Sequence, residues 1–209
     1  MKNNQLLVES QETGKTTYLF NEINKLISDG FGIIVLDSAT EHEDKSLLKK
    51  VINNNSNSVI IGMHDEKQVV LGNIPISDFI KNFMDYFPFR DVIKNKDKII
   101  CFDLSFFLEK GHEVYEETND IKQYRYYRNL YNNLSQQIAL SLILMEKCSI
   151  IKDRIVVMDE IEFPITDYDI SILQNNLNFL AAVHPENAFG TFYESFDKIK
   201  FKKYQKRKD

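Results

Sequence analysis

Short apolar runs bounded by polar residues recur along the chain at Gln5 to Val8, Gly32 to Leu36, Val59 to Ile61, Ile99 to Phe102, Ile155 to Met158 and Phe179 to Val183. Runs this short, apolar at consecutive rather than alternate positions, predict strands buried on both faces, as in a parallel sheet. Between them the spacing changes to that of helices. Leu19, Phe20, Ile23, Leu26 and Ile27 share one face, and Gly30 follows as a stop. Leu47, Leu48, Val51 and Ile52 repeat the pattern, as do Phe79, Ile80, Phe83 and Met84 before Pro88. A longer helix places Tyr127, Tyr131, Leu134, Ile138 and Met145 along one stripe. The polar stretches Asn53–Ser58 and Lys110–Lys122 are expected to be loops, the second a mobile one.

Alternating strands and helices imply βαβ crossovers, hence an α/β three-layer sandwich with a mainly parallel sheet. In such folds ligands bind beyond the carboxyl ends of the strands, so functional residues are sought there. The length of 209 residues suits one domain, taken as residues 1–200, and no repeat or low-complexity linker divides it. Residues 201–209 belong to a basic stretch beginning at Lys198, expected to be a solvated tail.

Composition narrows the partners. The net charge of −5 is modest and both signs are interspersed, so charge gives no support to a broad DNA-binding surface. Cys101 and Cys148 lie in apolar runs without CxxC spacing, which predicts reduced, buried thiols and fits a cytoplasmic location. The N-terminus lacks a signal-like apolar segment, and the run Ile138–Met145 is too short for a membrane span.

Two segments carry candidate chemistry. Leu6-Leu7-Val8 leads through a polar turn into Thr13-Gly14-Lys15-Thr16-Thr17 and then an amphipathic helix, the strand, loop and helix context of a phosphate-binding P-loop. In that geometry the helix-start N–H groups cradle phosphates, Lys15 reaches the β and γ groups, and the Thr16 hydroxyl ligates Mg2+. Glu9 stands where the pattern has its first glycine, adding a negative charge and removing a permissive residue. The second segment, Arg154-Ile155-Val156-Val157-Met158-Asp159-Glu160, reads as a charged edge, a buried strand and two acids at its exposed end. There Asp159 serves Mg2+ and Glu160 acts on the water that attacks the γ-phosphate. Asp103, after the strand Ile99–Phe102, is the second choice for the metal.

Together these segments resemble the HerA and FtsK superfamily of P-loop ATPases, whose members include conjugation coupling proteins and other DNA-pumping motors. The likeness rests on Gly14-Lys15-Thr16-Thr17, on Ile33 to Asp37 leading to Glu41-His42, on Asp103-Leu104-Ser105 and on Ile155 to Glu160. It implies a RecA-like P-loop NTPase core that binds ATP and Mg2+ and hydrolyses the nucleotide, within a homo-oligomer and with DNA or a protein as partner. It also implies a γ-phosphate sensor at Leu180 to Pro185, with His184 where the family has a Thr-Gln pair. Arg90, Arg125, Arg128 and Arg154 are the arginines available to reach a neighbouring subunit.

Two other readings stand beside the ATPase. A small-molecule or nucleoside kinase would use Asp103 and a mobile stretch near residues 110–128. A P-loop scaffold without turnover would account for Glu9 and the altered sensor. Two further clusters have ordinary explanations: Tyr124 to Arg128 suits a helix start that is half core and half surface, and Glu41 to Asp44 suits an acidic loop.

Overall fold

A computed structural model of the chain describes residues 5–8, 14–37, 46–62, 99–147, 154–159, 179–183 and 197–199. The elements, in order, are β1 (Gln5–Val8), α1 (Lys15–Ser28), β2 (Gly32–Asp37), α2 (Leu47–Asn54), β3 (Ser58–Gly62), β4 (Ile99–Asp103), α3 (Ser105–Thr118), α4 (Ile121–Lys147), β5 (Arg154–Asp159), β6 (Phe179–Val183) and β7 (Asp197–Ile199). The expected helix around residues 79–84 lies outside the described residues, as do Cys148 and the stretch 201–209.

The strands form one sheet in the order β3-β4-β2-β5-β6-β1-β7, and each registered pair is parallel. Burial on both sides explains the apolar runs of β2, β4, β5 and β6, whereas β3, at the edge of the sheet, leaves Ile60 51 % exposed. One face offers Leu7, Ile33, Val35, Ile99, Cys101, Ile155, Val157, Leu180 and Ala182 to Leu19 and Ile23 of α1 and to Leu47, Leu48 and Val51 of α2. The other face, with Ile34, Leu36, Ile100, Phe102, Val156, Met158, Phe179 and Ala181, is equally buried.

Handedness assigns the helices to layers. The crossovers β1–α1–β2 and β2–α2–β3 run across the sheet in one direction, and β4–α3–α4–β5 runs in the other. Right-handed crossovers running in opposite directions lie on opposite faces, so α3 and α4 flank the face away from α1 and α2. The result is a parallel sheet between helices.

Local chemistry sets the helix ends. Gly30 has φ 85°, and the bonds Gly30 N–H to Ile27 O (3.0 Å) and Phe31 N–H to Leu26 O (3.0 Å) close α1 in a Schellman arrangement. Ser46 caps α2 through Lys49 N–H at 3.1 Å.

Three expectations are corrected here. Lys110–Lys122 is not a loop: it forms the second half of α3 and the start of α4, joined through Asn119 in the left-handed region (φ 54°). Its charges line the solvent side of α3, while Phe107 and Gly111 supply the buried side. A Cβ on Gly111 would lie 3.2 Å from Tyr127 Cβ, so a glycine lets the two helices approach closely. Arg154 is not at an exposed edge: it is 0 % exposed, and its Nη1 donates to Ile33 O at 3.3 Å. Lys198 belongs to β7, paired with Leu6, rather than to a tail. A three-residue strand offers too few positions for any pattern to show.

Candidate functional site

The carboxyl ends of β4, β2 and β5 each finish on an aspartate: Asp103, Asp37 and Asp159. Asp37 and Asp159 are register partners, and pairing of Leu36 with Phe102 brings Asp103 to the same level. Strand alternation puts all three on the face that carries α1 and α2, two residues beyond Cys101, Val35 and Val157.

Helix α1 brings Lys15 and Thr16 to this edge. Gly14 precedes it with φ 91°, a left-handed conformation that favours glycine, and Gly14 O accepts from Tyr18 N–H at 2.9 Å as the helix begins. Two residues on, the Thr16 hydroxyl donates to Asp159 Oδ2 at 3.1 Å, across 143 positions of sequence. Strand β6 lies between β1 and β5, and its residue in register with Asp159 is Ala182. A methyl group there leaves room for the first turn of α1 to lie over β6 and reach β5. Lys15 is 5 % exposed and Asp159 4 %, whereas Gly14 and Thr17 are exposed.

The other two aspartates serve neighbouring helices. Asp37 Oδ2 accepts from Leu48 N–H at 3.0 Å, anchoring the first turn of α2 beside that of α1. Asp103 Oδ1 accepts from Ser105 N–H at 3.1 Å at the start of α3. Between them, burial and then the charges of Asp37 and Asp103 push the Cys101 thiol up to about 12. Sequence pattern gives Asp37 no such anchoring role, because the residue it holds becomes a neighbour only once α2 folds back on the sheet.

The structure therefore brings Thr16 to Asp159, with Lys15 preceding Thr16 in the first turn of α1, and it sets Asp103 two strands from Asp159, with β2 between. Glu9, Thr13, Glu160 and His184 lie outside the described residues, as do Glu41 to Asp44 and Arg90. Arg154 is at the amino end of β5 and buried, so it is withdrawn from the arginines able to reach another subunit; Arg125 and Arg128 are exposed on α4. Residues 110–128, taken as mobile in the kinase alternative, are mostly helical. Among the described residues no helix is long and apolar enough to cross a membrane.

A hydroxyl and a carboxylate are hard oxygen donors, the kind Mg2+ prefers. Among the described residues no group of three or more His, Cys, Asp or Glu side chains is placed to hold a metal. The positive end of α1, the buried Lys15 and the Thr16–Asp159 pair together suit an anion accompanied by such a cation. No protein-family model, curated protein or solved structure matches this chain.

Proposed function

We propose that the chain is a P-loop ATPase that binds ATP and Mg2+ at the start of α1. The observation that carries this is the bond from Thr16 to Asp159, which joins the helix start after the Gly-Lys-Thr segment to the carboxyl end of a buried strand. Backbone N–H groups of the first turn of α1 and the Lys15 ammonium bind phosphate oxygens. Thr16 and Asp159 hold the cation, directly or through water. When bound, Mg2+ would neutralise phosphate charge alongside Lys15. Glu160, the next residue after Asp159, orients and deprotonates the attacking water. The HerA and FtsK likeness adds DNA movement as the task that turnover serves, which duplex DNA should reveal by stimulating hydrolysis.

A Mg2+-dependent ATP titration of the purified chain, repeated with Lys15→Ala, tests the site. Charge-assisted contacts contribute about 1.5–3 kcal/mol, so the variant should bind roughly 10- to 150-fold more weakly. Equal affinity in both proteins, or none in either, defeats the proposal. Glu160→Gln should then keep binding and lose phosphate release.

A further inference from the structure

The α3–α4 hairpin separates charge between its two helices. Glu109, Glu113, Glu116 and Glu117 are exposed on α3, and helical spacing places the first three on one outward stripe, away from Phe107 and Gly111. Lys122, Arg125 and Arg128 are exposed on the first turns of α4, on the side away from Leu130 and Leu134. With His112 neutral, α3 carries a net −3 and residues 121–128 a net +3.

Each helix is charged against its own dipole. Glu116 and Glu117 stand in the last turn of α3, where carbonyl groups already concentrate negative potential, and Lys122 and Arg125 stand near the start of α4. Repeated like charge at i,i+4 adds to the cost. Among the described residues no ion pair links the two helices; the one involving this acidic stripe joins Lys110 to Glu113 within α3 at 3.2 Å. The same hairpin carries three of the four exposed large apolar side chains found among the described residues: Tyr115, Ile121 and Tyr126. Local unfavourable choices clustered with exposed apolar groups mark a surface that something else covers.

We infer that the hairpin docks a second copy of this chain, acidic α3 of one against basic α4 of its mate. A two-fold axis makes such a patch complementary to itself, satisfying both stripes at once and enclosing the exposed tyrosines and Ile121. A nucleic acid satisfies only the basic stripe and meets four glutamates beside it. Nor does the Tyr124 to Arg128 cluster offer a stacking platform: Tyr124 is turned into the hairpin against His112 (5.3 Å between ring centroids) and Tyr115 (5.7 Å), and Tyr127 is half-buried.

Analytical ultracentrifugation over a range of protein concentrations tests this. The unaltered chain should self-associate, more weakly as salt rises. Arg125→Glu with Arg128→Glu, and separately Glu113→Lys with Glu116→Lys, should each weaken association by roughly a hundredfold, since both contacts then set like charge against like. Mixing the two variants should restore it, because every contact again pairs opposite signs. A chain that stays monomeric at all concentrations and salts overturns the inference, a result that no variant's folding can affect. So does association indifferent to the substitutions, or a hairpin whose arginines are needed for binding a nucleic-acid oligonucleotide but not for self-association.

Discussion

Replacing Thr16 by valine removes a hydroxyl while keeping the side chain's shape, so it isolates the 3.1 Å bond to Asp159. That length is slightly long for O–H···O, which points to the lower part of the roughly 1.5–3 kcal/mol assigned to hydrogen bonds with charged groups. Asp159, however, is 4 % exposed, so water replaces the lost donor poorly and the cost rises again. The expected destabilisation is about 2 kcal/mol. For a chain of 209 residues that corresponds to a Tm lowered by roughly 4–8 °C. Urea unfolding without nucleotide should be compared for the unaltered chain, Thr16→Val, Asp159→Ala and the double variant. Once Asp159 is gone the hydroxyl has nothing to donate to there, so the coupling energy should be about 1.5–2 kcal/mol. Effects that add to within about 0.5 kcal/mol would refute the contact, and with it the geometry on which the proposed phosphate site rests.

Asp37→Ala should cost about 1–3 kcal/mol in urea unfolding, because it leaves the Leu48 N–H at the start of α2 without the acceptor it has at 3.0 Å; Asp37→Asn, which keeps an oxygen there, should cost less. Gly111→Leu should destabilise by roughly 1–3 kcal/mol or more, since even a Cβ at this position would lie 3.2 Å from Tyr127 Cβ; a Tm equal to that of the unaltered chain would contradict the close approach of α3 and α4. The Cys101 thiol is raised to about 12, so its contribution to stability is complete below the unfolded thiol's ionisation and is lost as pH rises from there toward 12. Unfolding free energies from urea titrations should therefore fall less steeply in Cys101→Val than in the unaltered chain over roughly pH 9–11, by at most about 1.4 kcal/mol per pH unit.

Sequence pattern carries the sheet because strands buried on both faces must be apolar at every position, and Phe179–Val183 is bounded by its polar neighbours at the same residues in both descriptions. It carries the two halves of the candidate site for a similar reason: a turn rich in polar residues after Leu6-Leu7-Val8, and acids after Ile155 to Met158, mark where strands end. It cannot carry their meeting. Thr16 and Asp159 are 143 residues apart, and whether they touch depends on β6 lying between β1, which leads to α1, and β5, with Ala182 level with Asp159. Arg154 fails for the opposite reason. A charge at the start of an apolar run ordinarily marks solvent, but β5 is paired with β2 from its first residue, Arg154 against Gly32, and with β6 from Val156, and Arg154 is buried with the rest of the strand.

The segment Lys110–Lys122 shows how one set of residues supports two opposite readings. Its density of charge, seen as composition, suggests a mobile loop. The same glutamates, once α3 is known to be helical, fall at intervals of three and four and become a stripe; the basic residues that follow become a second stripe on another helix. Composition averages over both and finds nothing unusual. Only the turn at Asn119, with φ 54°, and Asp120, whose Oδ1 accepts from Lys122 N–H at 2.9 Å and Gln123 N–H at 3.3 Å to start α4, divide the negative part from the positive. If that division served only solubility, alternating signs would do as well and would stabilise each helix by i,i+4 pairing. Keeping the signs apart forgoes that gain in both helices, and a partner able to use both stripes is the arrangement that recovers it.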